Sequence, residues 1–331
     1  MKFSRRFSWS ILWIAGLALA SPVTQALGAA EKSAPVTVLY AGSLGGLMEK
    51  SVGPEFEKSS GYPFQGEGNG SVAAARMIKD GLRTPDAFIS ADAAVNSKIL
   101  MGAENRNLVD WYATFASSGL VLGYNPKSRF KDLFDQSKAG KLPWYEVVAK
   151  PGFRFGRTDP NLDPKGYRTL FLFELAERHY ARPGLAALLG DPANPAQIFP
   201  EPELLVRLES GQLDAAVFYR HEVIAHALPF LELPDEINQS NPRFAALYAD
   251  RSFTNGKGVT TSGVAIVFTI TIPSTSRNVP GAVAFLRFIL SGPGGEIIGR
   301  SGLRPIPLKW EGDISKVAAD LRPLLSEGKK D

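Results

Sequence analysis

The fold is decided by Val36–Glu49, which reads VTVLYAGSLGGLME. Its first five residues are mostly apolar and β-branched, which is typical of a buried parallel strand. The small residues Ala41-Gly42-Ser43 then form a tight turn, and an amphipathic pattern runs from Leu44 to about Lys58. Ser43 therefore stands at a helix start, where its hydroxyl and the free backbone N–H groups either bind an anion or only cap the helix.

The next units repeat this arrangement. Phe64–Glu67 is predicted to be a strand, and a glycine-rich turn then leads to Ser71 at the head of a second helix. Ala87–Ser90 is a third short strand. This alternation predicts an α/β fold with an open, mostly parallel sheet flanked by helices. Ligands bind beyond the carboxyl ends of such strands, which is where Ser43 and Ser71 lie.

The remainder of the chain predicts a second lobe and a return to the first. We expect lobe 1 to comprise residues 35–117 and 265–331, and lobe 2 to comprise residues 118–264. Asp163-Pro164 is a strong helix start, with Asp as N-cap and Pro at the first helical position. A further helix begins at Glu201, and an apolar strand ends at Tyr219. We also predict a helix over Ile314–Leu324 in the tail.

The first 30 residues resemble a secretory signal peptide, with basic residues, a short apolar stretch and small residues near Gly28–Ala30. The formal net charge of +4 falls to +1 without Lys2, Arg5 and Arg6. This weak charge, with no basic run, argues against a nucleic-acid partner. The chain has no Cys, which excludes cysteine nucleophiles and thiolate metal sites. We therefore expect a periplasmic or otherwise extracytoplasmic protein.

Several motifs in fixed order carry a family resemblance. They are Ala41-Gly42-Ser43-Leu44, Gly70-Ser71-Val72, Asp86–Asp92, Asp159-Pro160, Asp163-Pro164-Lys165-Gly166-Tyr167-Arg168, Glu232–Asn238 and Thr271-Ile272-Pro273. Together they resemble the periplasmic molybdate/tungstate-binding proteins of ABC importers, and most closely the tungstate/molybdate branch. The resemblance covers about Val36–Pro307, which is nearly all of the chain after the predicted signal peptide.

The resemblance implies a two-lobed clamshell that closes on one tetrahedral oxyanion, molybdate or tungstate, and delivers it to a membrane permease. Ser43 and Ser71 match donors of the first lobe. The backbone N–H of Lys165, the backbone of Glu201 and the hydroxyl of Tyr219 match donors of the second. A buried dianion without a cation needs such pre-aimed neutral donors. No cofactor, resident metal or catalytic set is implied, and we expect a monomer.

Asp163 and Phe218 mark one departure. In the tungstate branch two carboxylates can join the metal and make it six-coordinate. Asp163 matches one of them, although it could only cap its helix, and the other falls at Phe218. We therefore expect a four-coordinate anion and credit Glu201 with its backbone alone; a six-coordinate metal would point to Glu201 or Glu222 as the second carboxylate.

Other interpretations stay open at this point. The ligand could be sulfate or phosphate, and Asp163 or Glu201 could accept the proton that phosphate keeps. The same fold also serves extracytoplasmic sensors and enzymes, although no nucleophile and base are paired here. Lys165 and Arg168 could be solvated charges, and His221, Glu222 and His226 could form an incomplete metal site. The sequence does not rank molybdate over tungstate.

Overall fold

The computed structural model describes Met1, residues 34–190 and residues 196–327. Apart from Met1, the predicted signal peptide lies outside the described residues. The described residues from 34 to 327 form one compact unit, within which the strands fall into two main sheets and one hairpin. The described strands are β1 (Val36–Ala41), β2 (Phe64–Asn69), β3 (Ala87–Ser90), β4 (Trp111–Ser117), β5 (Leu120–Tyr124), β6 (Phe155–Thr158), β7 (Ile198–Phe199), β8 (Ala215–Tyr219), β9 (Phe230–Glu232), β10 (Ser252–Thr254), β11 (Thr260–Ser262), β12 (Val267–Thr271) and β13 (Arg304–Gly312).

The first sheet has the strand order β13-β4-β12-β3-β1-β2. Strand β1 lies parallel to β2 and β3, while β12 and β13 run antiparallel to their neighbours. Strands β1, β3 and β4 are almost entirely buried, as their apolar composition predicts. Because β1, β2 and β3 are parallel, their carboxyl ends lie on the same side of this sheet.

The second sheet has the order β7-β6-β8-β5-β9. Strand β8 lies parallel to β6 and antiparallel to β5. Only Ser118 and Gly119 separate β4 of the first sheet from β5 of the second, so the chain crosses between the two lobes there. The two-lobed α/β class is confirmed, although the pairing within each sheet is more mixed than strand–helix alternation alone predicts.

Helices cover both sheets. The α-helical segments are α1 (Gly45–Leu47), α2 (Gly53–Ser60), α3 (Ser71–Lys79), α4 (Ala93–Val95), α5 (Lys131–Lys138), α6 (Trp144–Val148), α7 (Pro164–His179), α8 (Leu185–Leu189), α9 (Glu201–Glu209), α10 (Arg220–Ala225), α11 (Asp235–Asn238), α12 (Ala245–Ala249), α13 (Val279–Ser291), α14 (Pro293–Arg300) and α15 (Leu324–Glu327). A π-helical turn over Met48–Val52 joins α1 to α2, so the helix predicted from Leu44 to Lys58 is present.

The prediction for the tail is wrong. In place of one helix over Ile314–Leu324 there are two short 3₁₀ turns, followed by α15. The nine-residue edge strand β13 precedes them and pairs with β4, a contact distant in sequence that local pattern does not reveal. Within the described part of the chain, no single helix is long and apolar enough to cross a membrane, and one pair, α13 and α14, passes that test only together and is bent by 51°.

Candidate functional site

Ser43 and Ser71 lie where the first lobe meets the second. Ser43 belongs to a 3₁₀ turn directly after β1, and Ser71 is the first residue of α3. Both are buried. The Ser71 hydroxyl oxygen accepts a hydrogen bond from the Ala91 backbone N–H at 3.1 Å, which leaves its own hydrogen free to be donated. The strand-to-helix turns therefore deliver both hydroxyls to the lobe junction, as the sequence predicts.

Asp163 and Lys165 approach from the second lobe at the start of α7. Asp163 is the N-cap, and its Oδ1 accepts the Lys165 N–H at 3.2 Å. Both side chains are buried. Gly70, immediately before Ser71, comes so close that a Cβ there would lie 3.0 Å from the Asp163 Cβ. The helix starts of α3 and α7 thus face each other across the lobe junction.

Arg168 ties Tyr219 to the first lobe. Its Nη1 donates to the Ala91 carbonyl at 2.7 Å and to the Tyr219 hydroxyl at 3.2 Å, and its Nη2 contacts Asp92 Oδ2 at 2.8 Å. The Tyr167 hydroxyl donates to the same carboxylate oxygen at 2.8 Å. Arg168 is buried, so its interpretation as a solvated charge is wrong. Its bond to the Tyr219 oxygen leaves the phenolic hydrogen available as a donor.

Glu201 reaches across the junction with its side chain. Its Oε2 accepts the Gly42 backbone N–H of the first lobe at 3.0 Å, and its Oε1 lies 3.2 Å from Lys165 Nζ. Lys165 Nζ also donates to both carboxylate oxygens of Glu222, at 2.8 and 3.0 Å. The sequence predicts a contact through the Glu201 backbone alone and leaves open whether the Lys165 side chain is a solvated charge. The Lys165 side chain is buried in this cluster, so it is not solvated, and the Glu201 side chain is buried beside it.

The Phe218 side chain has no atom that could bind a metal, and it packs into apolar surroundings. Its ring is buried in a small apolar core with Leu204 and Leu208, and Lys165 Nζ lies 5.3 Å from the ring centre. A second carboxylate is nevertheless present, because Glu201 supplies it from the start of α9. The sequence signal for this was available: Glu201-Pro202 is a helix start like Asp163-Pro164, each with an acidic residue beside its proline.

Burial and mutual repulsion shift the titration of the acidic groups. Burial, reinforced by Asp163 and opposed by Lys165, raises the pKa of Glu201 to about 8. Burial also raises the pKa of Asp163 and of Glu222 against the attraction of Lys165. Burial alone would lower the pKa of Lys165, but the attraction of Glu222, Glu201 and Asp163 raises it instead. Lys165 is therefore an ammonium ion at physiological pH.

Three buried oxygen atoms in this region are incompletely hydrogen-bonded by the described residues. Ser43 Oγ has no hydrogen-bond partner, Asp163 Oδ2 has only the Thr158 hydroxyl nearby, and Glu201 Oε1 has only Lys165 Nζ, at 3.2 Å. An unpaired buried polar atom costs about 1–3 kcal/mol, so Ser43 Oγ in particular requires an explanation. The three atoms come from separate elements: the turn after β1, the start of α7 and the start of α9. A polar ligand between the lobes would satisfy the Ser43 hydroxyl.

The histidines do not form a metal site. His221 is buried between the lobes, with Nε2 placed 3.2 Å from the Ser43 carbonyl and Nδ1 placed 3.2 Å from Ser118 Oγ. Burial lowers the pKa of His221 to about 3, so the imidazole is neutral. His226 instead contacts Glu209 at 3.0 Å. No group of three or more His, Asp and Glu side chains within the described ranges is arranged to hold a metal ion.

Several known proteins are similar to this chain in sequence or in fold. A model of the family described as "bacterial extracellular solute-binding protein" matches residues 36–304. A solute-binding protein from Petrotoga mobilis is 32% identical over 89% of this chain and 91% of its own length. The molybdate/tungstate-binding protein WtpA of Pyrococcus abyssi is 31% identical over 86% of this chain and 90% of its own.

Among solved structures, the periplasmic molybdate-binding protein of Azotobacter vinelandii shares the fold, with a TM-score of 0.56 and 19% identity over 81% of this chain and 98% of its own. The family match extends over both sheets, from β1 to the first residue of β13. Two helix starts that face each other between two lobes, with unpaired polar atoms at the junction, suit the capture of a solute. The chain belongs to the bacterial extracellular solute-binding protein family, whose members are components of ABC transporters and work outside the cytoplasm.

Proposed function

We propose that this protein binds molybdate or tungstate between its lobes and delivers the anion to the membrane permease of an ABC importer. The observation that carries the proposal is the meeting at the lobe junction of the unpaired Ser43 hydroxyl with two incompletely hydrogen-bonded carboxylate oxygens, Asp163 Oδ2 and Glu201 Oε1. The names of the Pyrococcus and Azotobacter proteins, which share the sequence and the fold respectively, support this choice of ligand.

Neutral donors of both lobes surround the proposed anion. Ser43 and Ser71 offer hydroxyls at the positive ends of helical segments in the first lobe. The second lobe offers the Tyr219 hydroxyl and the backbone of Glu201 at the start of α9. The Lys165 N–H would have to turn to the anion from Asp163 Oδ1, which it contacts at 3.2 Å. Hydrogen bonds from such neutral donors to an oxyanion are strengthened by its charge, so the anion does not need a lysine or arginine beside each oxygen.

The two carboxylates set the class of anion. An ionised carboxylate oxygen repels the oxygen of a dianion, and Asp163 Oδ2 would do so towards sulfate, as would Glu201 once it loses its proton. Molybdenum and tungsten, unlike sulfur, can accept further oxygen ligands, so these two oxygens would become metal ligands, with Glu201 in place of the tungstate-branch carboxylate that is missing at Phe218. We therefore propose a six-coordinate metal bound through Asp163 and Glu201, and the four-coordinate anion expected from Phe218 stays the alternative.

Calorimetric titration with molybdate, tungstate, sulfate and phosphate tests the ligand class. We expect molybdate and tungstate to bind at least a hundredfold more tightly than sulfate, because unpaired donors and two repelling carboxylates each cost about 1–3 kcal/mol. Phosphate is the second candidate, since its proton could be donated to Asp163 Oδ2. Tighter binding of phosphate than of tungstate would exclude the proposal.

X-ray absorption on the loaded protein tests the coordination. Six oxygen neighbours, two of them at longer distance, are expected in the wild type, and fewer in Asp163→Asn and Glu201→Gln. A four-coordinate metal in the wild type would restore the original expectation from Phe218.

We also infer a monomer with lobe boundaries at residues 117/118 and 264/265, exported to the periplasm after the signal peptide is removed and without enzymatic activity. The two sheets support these boundaries, since the first uses strands between residues 36–117 and 267–312 and the second uses strands between 120 and 232. Light scattering on the exported protein, together with its intact mass, tests the oligomeric state and the cleavage. A stable dimer or an uncleaved N-terminus would contradict this inference.

A further inference from the structure

Lys165 presents a cation in the interior of the site. Its side chain is fully buried, and Nζ donates to Glu222 Oε1 and Oε2 at 2.8 and 3.0 Å. The rings of Phe218 and Tyr219 lie 5.3 and 5.5 Å from Nζ. A buried ion pair is weak evidence for stability, because apolar residues of similar volume often replace it without loss. Because Lys165 lies beside the proposed ligand, we expect its charge to affect binding.

The ammonium is shared unequally between two carboxylates. Glu222 is held firmly, because its Oε2 also accepts the Tyr219 backbone N–H at 2.7 Å. Glu201 Oε1 lies within ion-pair distance of Nζ at 3.2 Å but makes no hydrogen bond within the described part of the chain. Lys165 therefore offsets the charge of Glu201 while leaving Oε1 free to contact a ligand.

The charges of the cluster do not cancel. Three carboxyl groups, those of Asp163, Glu201 and Glu222, surround a single ammonium, that of Lys165, so they outnumber it even when Glu201 holds a proton. Arg168 does not alter this balance, because it is matched by Asp92 at 2.8 Å. The Coulomb energy of a bound anion scales with its charge, so each added negative charge in the cleft penalises a dianion twice as much as a monoanion. Removing one positive charge has the same effect.

Resting on the function proposed above, we propose that Lys165 is a specificity-determining residue: its buried ammonium sets the net charge of the cleft and so favours doubly over singly charged tetrahedral oxyanions. The backbone N–H of Lys165 donates to Asp163 Oδ1, a hydrogen bond that any residue except proline could supply. The side chain contributes the charge, which at this position only lysine or arginine provides across the physiological pH range.

Tungstate and perrhenate form a matched pair of probes, because both are tetrahedral oxyanions of similar size with charges of −2 and −1. The readout is the ratio of their dissociation constants by calorimetry. Lys165→Met should weaken tungstate far more than perrhenate, so the preference for tungstate should fall about tenfold or more. Comparing this ratio between variants removes the part of the coordination difference that the substitution leaves unchanged.

Glu222 allows the charge to be restored without restoring the lysine. Glu222→Gln removes one negative charge while its amide oxygen can still accept the Tyr219 N–H, and it should raise the preference for tungstate. The double variant Lys165→Met/Glu222→Gln has the net charge of the wild type and should return the ratio to within about threefold of the wild-type value. If Lys165→Met alone fails to fold, Glu222→Gln and the double variant still allow the ratio to be compared with that of the wild type.

Lys50 serves as the control, because it is exposed at the mouth of the same cleft. Lys50→Met should leave the ratio unchanged at physiological salt, where exposed charges are screened. If wild-type protein binds neither molybdate nor tungstate, the proposed function fails. If it binds tungstate but the ratio stays constant across the Lys165 and Glu222 variants, only the role of Lys165 is overturned. An equal loss for both anions would likewise mark Lys165 as structural.

Discussion

A single hydroxyl, that of Ser43, is buried at the lobe junction with no hydrogen-bond partner among the described residues. We expect Ser43→Ala to weaken tungstate binding about tenfold to a hundredfold, because a hydrogen bond to a charged group contributes roughly 1.5–3 kcal/mol. The fold should be unaffected, since no other described group loses a partner. Calorimetry on Ser43→Ala is compared with Ser59→Ala, an exposed serine far from the cleft in sequence. Unchanged affinity would remove Ser43 from the site.

Glu201 makes stability depend on pH. Its pKa is about 8 in the folded protein against 4.5 ordinarily, so the folded state holds a proton that the unfolded state loses above pH 4.5. Stability should therefore fall as pH rises from 5 to 8 in the protein without ligand, by ~2 kcal/mol or more, given about 1.4 kcal/mol per pKa unit.

Urea unfolding of Glu201→Gln across this pH range tests the assignment, with the exposed Glu203→Gln as its control. The glutamine cannot ionise, so its curve should be flatter than that of the wild type. A pH profile identical to that of the wild type would show that Glu201 is not the titrating group.

At the scale of the element, Asp163 has two roles to be separated at the start of α7: capping the helix and contacting the ligand. The carboxylate caps the helix through Oδ1, while Oδ2 has only the Thr158 hydroxyl nearby among the described residues. We expect Asp163→Asn to keep the cap, because Asn and Asp cap about equally well, and yet to lose at least tenfold in tungstate affinity. Asp163→Ala should lose both stability and affinity. Thermal melts and calorimetry separate the two effects, and full affinity in Asp163→Asn would mean that Asp163 only caps.

The elements that the sequence predicts well are those with strong local signals. The strand Val36–Ala41, the helix begun by Asp163-Pro164 and the strand Ala215–Tyr219 are all present near their predicted positions. The side chains of Glu201 and Lys165 were misjudged because their burial depends on two lobes coming together. Charge alone predicts exposure, and only the folded chain shows that each of these two residues is the other's partner.

At the scale of the whole molecule, the lobes contact each other closely at Gly70. The Ala73 N–H of the first lobe donates to the Leu162 carbonyl of the second at 2.9 Å, and a Cβ on Gly70 would lie 2.7 Å from that carbonyl oxygen. Closure therefore requires a residue without a side chain. The β4–β5 crossing at Ser118 and Gly119 is a natural place for the rotation.

Small-angle scattering should show a smaller radius of gyration when tungstate is added to the wild type. Gly70→Ala should compact less and bind more weakly, because its methyl group meets the Leu162 carbonyl. Gly45→Ala is the control, since nothing lies within 4 Å of a Cβ there. A wild-type radius that does not change at saturating ligand would count against closure, and equal behaviour of the two alanine variants would exclude the steric argument.

The buried imidazole of His221 bears on how long a captured anion stays. It joins the carbonyl of Ser43 in one lobe to Ser118 at the crossing between lobes, and its neutral form persists down to about pH 3. Parting the lobes must break at least one of these contacts before the anion can leave. His221→Ala should therefore raise the dissociation rate of tungstate in stopped-flow displacement while changing its association rate little. A residence time equal to that of the wild type would show that lobe opening is not slowed by this side chain.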